Sequence, residues 1–600
     1  MRTCLAAVSL AFGMGMSAQG AEDVLVLAER GRGAAYKIVV PAKALPSTAN
    51  AALELREYIE RATGVRLAFG TDDEPIPEKA IVVGQAHPQP SALGEDGFRI
   101  RVEGRRVLIE GSETHGAMFG VYEFLERFCG VGWYTSWHEV VPEIDRLAVP
   151  ATLDLTEKPA FAFRQIGWTD ASRNPRFCAH NKANMFGNRP EFGGSRFWFD
   201  SVLSKAHTFH RLVPVETYGK DHPEYFAIRD GKRVTEGRTQ LCLTNPDVLR
   251  IATGVVLDRI RANPKCIYFG VSQEDGLKGP CQCDACRAID EAEGSPSATM
   301  LLFVNKIAEA VEKAGYGDKI IETLAYGYTR KPPKTVKPRH NVMICLCSSG
   351  VEFSRPFNAS RHEGSMQFAD ELRIWRDRAK HMHLWDYTMN FLYLPHVFPD
   401  EMVIQPNLQF FRDCGVTEIY EQGAFQSRHA GFGELKVWLF AKLEWNPDQP
   451  LAPLLDRFFA GYYGKAAAKV REVFNAYHRL PIDEVKNPLT PMEDPCSSAR
   501  YSEGFFEEQA VRWDAALEAV KGEPAYEYNV RWGRFGNDFV RVLKYAKDPK
   551  RKGDPAARAV ARRVADMIDE SERTDPMRVR LGETAPQNER LEKIIRDMAL

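Results

Sequence analysis

The sequence predicts an α/β protein built on a (β/α)8, TIM-like barrel, with an α+β domain before the barrel and a helical domain after it. Three observations support this prediction. The chain has 600 residues, more than one hydrophobic core can hold, so several domains are expected. Between residues 155 and 450, apolar extended runs alternate with helix-period segments, as in a barrel of parallel strands. After Pro447 only helix-period segments remain.

The first 21 residues are predicted to be a signal peptide rather than part of the fold. Arg2 supplies a positive charge, an apolar stretch covers residues 4–16, and Ala18 and Ala21 are small residues typical of a cleavage site. This stretch is too short to cross a bilayer, and no other uncharged run reaches about 18 residues. We therefore expect an exported protein, secreted or periplasmic, without a membrane span.

Residues 22–150 are predicted to form the α+β domain. Two helices are expected over residues 51–62 and 114–128, where apolar side chains recur at helical spacing. Pro142 and Pro150 mark the end of the domain. The extended segments are 24–27, 36–40, 81–84, 98–102 and 107–111.

Residues 155–450 are predicted to form the barrel and residues 451–600 the helical domain. The second and third barrel strands have the weakest patterns. The predicted barrel strands are 161–168, 183–186, 207–212, 266–272, 320–326, 342–347, 383–387 and 418–420. The predicted helices of the last domain are 451–463, 467–477, 505–520, 526–545, 555–571 and 588–598.

Composition and charge exclude several classes of protein. Lys+Arg 79 against Asp+Glu 81 gives a net charge of -2 with the two signs interleaved, so no basic stripe is available for a phosphate backbone. Nucleic acid is therefore not an expected partner, and a neutral substrate fits the balance better than a polyanion. The chain contains no P-loop, no GxGxxG motif after a strand, no GxSxG elbow and no HExxH motif. Nucleotide binding, serine hydrolysis and zincin chemistry thus lack support.

In such a barrel, functional side chains gather at the C-terminal ends of the strands. The acidic side chains predicted there are Glu274 and Asp275 after strand four and Glu421 in strand eight, although acids at strand ends also cap the following helix. Sugar chemistry requires carboxylates together with aromatic platforms. The aromatic walls are predicted to be Trp168, Tyr326 and Trp385, with Tyr387 positioning the sugar ring. His207 and Asn390 are predicted to donate hydrogen bonds to sugar hydroxyls.

Four cysteines form a second candidate group. Cys281, Cys283 and Cys286 lie in one loop, and Cys242 precedes the helix that leads into strand four. In an exported protein these cysteines predict either a disulfide, a structural Zn²⁺ site or free thiols. A disulfide or a bound Zn²⁺ would have a structural role, because either would stiffen the loop beside Glu274. No other cofactor is expected.

Several motifs resemble known families. Residues 109–134 look like the non-catalytic N-terminal domain of α-glucuronidases and β-hexosaminidases, and residues 240–246 resemble the hexosaminidase barrel before its catalytic acid. Residues 30–460 more closely resemble the domain of unknown function 4838, which includes the endo-β-N-acetylglucosaminidases of glycoside hydrolase family 163. The motifs of this second resemblance are Val271-Ser272-Gln273-Glu274-Asp275-Gly276, the cysteine loop, Leu324-Ala325-Tyr326 before Pro332-Pro333, Trp385-Asp386-Tyr387 and Leu443-Glu444-Trp445-Asn446-Pro447.

The resemblance implies a role for each acidic residue. Hexosaminidases carry Asp, which orients the acetamido group, followed by Glu, which is the acid. Here Glu274 is expected to be the acid with Gln273 in the orienting position, or else Asp275 takes the main role. If the substrate's acetamido group is the nucleophile, Glu274 alternates between acid and base. If the enzyme is inverting, Glu421 is the expected second carboxylate, about 6.5–9.5 Å away.

The sequence therefore predicts an exported glycoside hydrolase that acts on glycans. Glycans that contain N-acetylglucosamine are one substrate class that this prediction includes. The competing hypothesis is a carbohydrate-binding protein that keeps the fold without the chemistry. That hypothesis gains support if Glu274 points away from the mouth of the barrel. An isomerase or lyase on the same barrel is a third class.

Overall fold

The protein is described by a computed structural model that covers residues 23–86, 90–94, 96–112, 114–195, 198–276, 279–574 and 579–600. The predicted signal peptide, residues 1–21, lies outside the described residues. None of the described helices combines the length and the apolar character needed to cross a bilayer.

A mixed six-stranded sheet forms the N-terminal part of the chain, in the order β10-β5-β6-β4-β2-β3. Helix α1 begins at Pro46, whose fixed φ suits a first helical position, and ends before Gly64 at φ 74°. The strands up to β10 are β1 Val24–Glu29, β2 Lys37–Val40, β3 Ala68–Thr71, β4 Ala80–Ala86, β5 Phe98–Glu103, β6 Arg106–Gly111, β7 Gly132–Trp133, β8 Glu139–Val140, β9 Arg146–Pro150 and β10 Asp154–Glu157; the helices are α1 Pro46–Thr63 and α2 Gly116–Phe128.

A curled sheet of six parallel strands follows, in the order β11-β18-β17-β16-β15-β14. The register aligns Gly167 and Tyr387 with Gln422, so the carboxyl ends of three neighbouring strands meet at one edge. The strands are β11 Phe163–Gly167, β12 Ile228–Arg229, β13 Lys232–Arg233, β14 Tyr268–Gly270, β15 Ile320–Ala325, β16 Val342–Cys347, β17 His381–Tyr387 and β18 Glu418–Gln422, of which β12 and β13 form a separate hairpin.

Helices connect most of these strands and cover the outer face of the sheet. Helix α12 is buried on nearly every side, and its Lys442 donates a 2.7 Å hydrogen bond to Glu126 of the N-terminal part. The helices are α3 Thr169–Arg173, α4 Pro175–His180, α5 Phe209–Leu212, α6 Val215–Tyr218, α7 Pro246–Ala262, α8 Asp284–Glu293, α9 Ser297–Lys313, α10 Glu363–Arg376, α11 Glu401–Asp413 and α12 Gly433–Trp445.

The second and third barrel strands were wrongly predicted, and the described sheet is a half-barrel rather than eight strands. Beside β11, the Arg164 N–H donates to Asn184 Oδ1 at 3.0 Å, and the Ile166 N–H lies 3.2 Å from Met185 Sδ. Side chains thus lie at the β11 backbone N–H groups to which a strand over residues 183–186 would have hydrogen-bonded. The place expected for the third strand is taken by a single parallel bridge from Phe199 to Tyr268, whereas residues 209–212 form helix α5.

Helices are the regular elements of the last part of the chain within its described residues, as its apolar periodicity predicts, and a long loop over residues 479–504 separates the second helix from the third. Residues 580–587 rest on the loops that follow β17 and β18. Leu394 N donates to Leu581 O at 3.0 Å, and Arg580 N donates to Ser427 Oγ at 2.9 Å. The helices are α13 Leu451–Tyr463, α14 Ala467–His478, α15 Phe505–Ala519, α16 Pro524–Lys547, α17 Pro555–Thr574 and α18 Ala585–Ala599.

Candidate active site

Alternation along the barrel strands determines which side chains reach the inside of the curled sheet. Trp385 and Tyr387 of β17 and Tyr420 of β18 lie on the concave face, where the Trp385 and Tyr420 rings meet edge to face at 4.7 Å. Asp386 and Glu421 alternate with them and face the helices outside, beside Phe411 and Phe440. At the carboxyl ends of β17 and β18 the concave face is therefore aromatic, whereas Asp386 and Glu421 are buried on the convex face.

Five residues from four segments of the sequence meet at the carboxyl edge of the sheet; we call them the mouth group. The Tyr326 hydroxyl donates a 3.2 Å hydrogen bond to Oδ1 of the exposed Asp275. Burial first, and then the charge of Asp275, raise the pKa of Tyr326 to about 12, so its hydroxyl stays protonated. The group contains Asp275, Tyr326, Tyr387, Trp385 and His207.

His207 adopts a left-handed backbone conformation at φ 58°, which is rare for a residue other than glycine. Its Nδ1 lies 2.9 Å from the Gln273 carbonyl oxygen, and its ring lies 6.4 Å from that of Tyr326. Backbone conformations of this kind are costly, and they cluster at functional sites where the surrounding structure holds them.

Glu274 lies behind the mouth group rather than in it, with a side chain that is only 1% exposed. Its Oε1 accepts hydrogen bonds from the His210 backbone N–H at 2.9 Å and from His210 Nδ1 at 2.8 Å. Its Oε2 is buried, accepts no hydrogen bond within the described residues, and lies 3.9 Å from the Arg238 guanidinium. The expectation that Glu274 faces an open pocket is therefore corrected, because its carboxylate is buried against His210 of helix α5.

Glu583 is a carboxylate at the mouth that the sequence did not indicate. Residues 580–587 rest on the loops after β17 and β18, and Glu583 is half-buried among them. Burial, and then the charge of Asp275, raise the pKa of Glu583. Sequence reasoning missed this residue because it belongs to the helical C-terminal part, whose periodicity gives no sign of contact with the barrel.

Three other residues expected at the site have structural positions instead. Trp168 is 3% exposed, and its indole donates to Thr388 Oγ1 at 3.1 Å while packing on Gly423. Asn390 is 1% exposed, accepts hydrogen bonds from the next loop residues and donates to the Glu493 carbonyl at 2.8 Å. Neither side chain is free to touch a ligand, so both expectations are corrected.

Glu421 is the third corrected residue, because it points to the convex side of the sheet. Burial, and then the charges of Asp386 and Glu444, raise its pKa well above the usual value. Burial likewise raises the pKa of Asp386 to about 7 and that of Asp400 to about 8. These acids lie between the sheet and helices α11 and α12, where they cannot act with Glu274 on one substrate.

An open cavity of ≈ 590 Å³ borders the concave face beside the mouth group. Trp385, Tyr420, Gln165 and Lys205 all line it. Lys205 Nζ lies 4.4 Å from the centre of the Tyr420 ring and donates no hydrogen bond within the described residues. Burial lowers the pKa of Lys205 to about 8, which leaves a polar nitrogen inside an aromatic pocket.

Two groups of side chains have the composition of metal sites. Glu322, Cys345 and His383 meet inside the sheet, fully buried, with Glu322 Oε1 3.0 Å from His383 Nδ1. That distance is typical of a buried hydrogen-bonded ion pair. The other group contains Cys242, Cys281, Cys283 and Cys286, whose sulfur atoms all lie within 4.8 Å of one another.

Comparison with solved structures places this fold among those of glycoside hydrolases. A GH115 4-O-methyl-α-glucuronidase, BtGH115A, with specificity for decorated arabinogalactans, is 14% identical, covers 94% of this chain and 81% of its own, and has a TM-score of 0.54. A family 89 glycoside hydrolase from Clostridium perfringens is 11% identical, covers 92% of this chain and 70% of its own, and has a TM-score of 0.50. At such identities the similarity shows the fold alone.

The sequence itself defines the family. The chain belongs to the domain of unknown function family DUF4838, whose model matches residues 133–475, and the resemblance seen in the motifs is thereby confirmed. A β-N-acetylhexosaminidase from Bacteroides fragilis NCTC 9343 is 13% identical, covers 76% of this chain and 94% of its own, and has a TM-score of 0.39. No curated protein sequence matches this chain.

Proposed function

We propose that this protein is a glycoside hydrolase whose active site is the mouth group together with Glu583. The observation that carries the proposal is the meeting of Asp275 with Tyr326, Tyr387 and Trp385 at the carboxyl edge of a curled parallel sheet. A carboxylate beside aromatic faces is what a glycosidase needs, because the sugar stacks on the rings while charge develops at its anomeric carbon. The fold shared with solved glycoside hydrolases supports the same conclusion.

The two mouth carboxylates suit different roles. Glu583 has a raised pKa, so it holds its proton at a higher pH than an ordinary glutamate and can donate it to the glycosidic oxygen. Asp275 is exposed, and its carboxylate accepts a hydrogen bond from the Tyr326 hydroxyl. Its negative charge can stabilise the positive charge that develops on the sugar ring. Glu274 then acts as a positioning residue, because it fixes His210 and the turn that carries Asp275.

For the substrate we propose glycans that contain N-acetylglucosamine, cleaved in the manner of an endo-β-N-acetylglucosaminidase. The resemblance of the acidic turn to glycoside hydrolase family 163 supports this choice. The family 89 structure with the same fold is described in complex with PUGNAc. The GH115 structure is described as a glucuronidase, so uronic acid glycosides are the comparison substrates. We also propose that the protein is exported, secreted or periplasmic, after removal of residues 1–21.

The test is turnover on a defined panel of glycans. The panel contains N-glycans and aryl glycosides of N-acetylglucosamine and glucuronic acid, each offered to the wild-type protein and to Asp275→Asn. The proposal expects product from at least one class with wild-type protein and a loss of at least about 100-fold with the variant. Equal product from both proteins would place the chemistry elsewhere.

The burial of Glu274 and the outward position of Glu421 favour a second candidate, a carbohydrate-binding protein without catalysis. Such a protein would bind a glycan from the same panel at the concave face without releasing product. Calorimetric titration with the bound glycan, followed by product analysis after long incubation, separates the two functions. Binding that depends on Trp385 without any product would establish the second candidate.

A further inference from the structure

The four cysteines beside the acidic turn have the spacing of a closed metal site. All four sulfur atoms lie within 4.8 Å of one another, and Cys242 Sγ lies 3.7 Å from Cys283 Sγ. Four thiolates held tetrahedrally at a Zn–S distance of about 2.3 Å are separated from one another by about 3.8 Å. A disulfide would instead bring a pair of sulfurs to about 2.05 Å, whereas all four cysteines are free in this structure.

Local structure around the cluster favours thiolates over thiols. Cys283 is the N-cap of α8 and Cys286 lies in the first turn of that helix, where the partial positive charge of the helix N-terminus favours anions. The Ile228 backbone N–H lies 3.3 Å from Cys281 Sγ, and Thr244 Oγ1 lies 3.2 Å from Cys286 Sγ. Donors of this kind around the sulfurs are typical of the hydrogen bonds that orient metal ligands.

We propose that Cys242, Cys281, Cys283 and Cys286 bind one structural Zn²⁺ ion. The four sulfurs complete a tetrahedral set and leave no open position for water, which is the arrangement of structural rather than catalytic zinc. Cys242, Cys281 and Cys286 are buried and Cys283 is half-buried, so the ion would be shielded from solvent.

The site would join three segments that are separate in the sequence. Cys242 lies just before α7, the other three cysteines lead into α8, and the Ile228 N–H attaches the hairpin of β12 and β13. Gln240, two residues before Cys242, accepts from the Glu274 N–H at 3.2 Å and donates to the Glu274 carbonyl at 2.8 Å. The metal would therefore stabilise the turn that carries Glu274 and Asp275.

Metal content tests the proposal without any need for a substrate. The purified full chain, prepared under reducing conditions without added metal, is analysed by inductively coupled plasma mass spectrometry. We expect about one zinc per chain for the wild-type protein and for Cys496→Ser, and almost none for Cys283→Ser. Cys496 is a matched control because it is half-buried like Cys283 and lies outside the cluster.

Two further measurements keep the test decisive if Cys283→Ser does not fold. Alkylation of wild-type protein purified without reductant, carried out in denaturant with a chelator and followed by peptide mass spectrometry, should label all four cysteines. Cobalt exchanged into the protein should show the intense bands of a tetrathiolate. A disulfide between any two of the four cysteines would overturn the proposal. Zinc that is absent from the wild-type protein, or that stays in a folded Cys283→Ser variant, would overturn it equally.

Discussion

Asp275 and Glu274 are neighbours in the sequence, and the structure predicts opposite effects for their isosteric variants. Asp275 is exposed, and besides the adjacent Gly276 N–H it accepts one side-chain hydrogen bond, from Tyr326 at 3.2 Å. Asp275→Asn should therefore change the free energy of unfolding by no more than about 0.5 kcal/mol. Because the variant loses the charge that faces the substrate, kcat/KM should fall at least about 100-fold, or about 2.7 kcal/mol of transition-state stabilisation.

Glu274→Gln should show the reverse pattern. Its carboxylate is buried and accepts two hydrogen bonds from His210, and bonds to a charged group each contribute about 1.5–3 kcal/mol. We expect the free energy of unfolding to fall by about 1–3 kcal/mol, with a smaller loss of turnover than in Asp275→Asn.

The assay pairs urea unfolding with initial rates on whichever glycan of the panel is cleaved. Both variants keep the shape of the side chain, so each serves as the control for the other. If Glu274→Gln abolishes turnover at unchanged stability while Asp275→Asn stays active, the assignment of the mouth carboxylate is wrong.

Three more changes test the site and its surroundings. Glu583→Gln should remove the alkaline limb of the pH profile of kcat/KM and lower its maximum at least about 100-fold; an unaltered profile would rule out Glu583 as the acid. Trp385→Ala should raise KM about 10-fold with little change in kcat, because the indole provides a stacking face; an unchanged KM would contradict this. The pKa of Asp386 is raised to about 7 in the folded protein, against an ordinary value near 4 in the unfolded chain. Between about pH 4 and pH 7 the folded state therefore binds more protons than the unfolded state, and the free energy of unfolding of the wild-type protein falls as the pH rises. Asp386→Asn should abolish that loss, so thermal unfolding should show the variant gaining on the wild-type protein from pH 5 to pH 8; an identical pH dependence would refute the shift.

The sequence alone determined the local structure of most segments. Helices α13 to α18 lie where the apolar period predicts them, and β15 to β18 lie within or close to the predicted runs. These elements are encoded by neighbouring residues, since spacing and burial on one face are properties of the segment itself. The motifs around Glu274 and the cysteine loop likewise identify the family, because each motif is a short run of residues adjacent in the chain.

The tertiary structure decided which face each strand side chain occupies. Tyr420 and Glu421 are adjacent in one short strand that is buried on both sides, so no polar and apolar alternation tells the concave face from the convex one. The predicted second strand failed for a similar reason, because side chains of Asn184 and Met185 rather than backbone groups lie at the β11 donors. Glu583 reaches Asp275 only because the C-terminal part rests on the barrel loops. Pairings between distant segments depend on the burial and hydrogen bonds of the whole chain, and no local period records them.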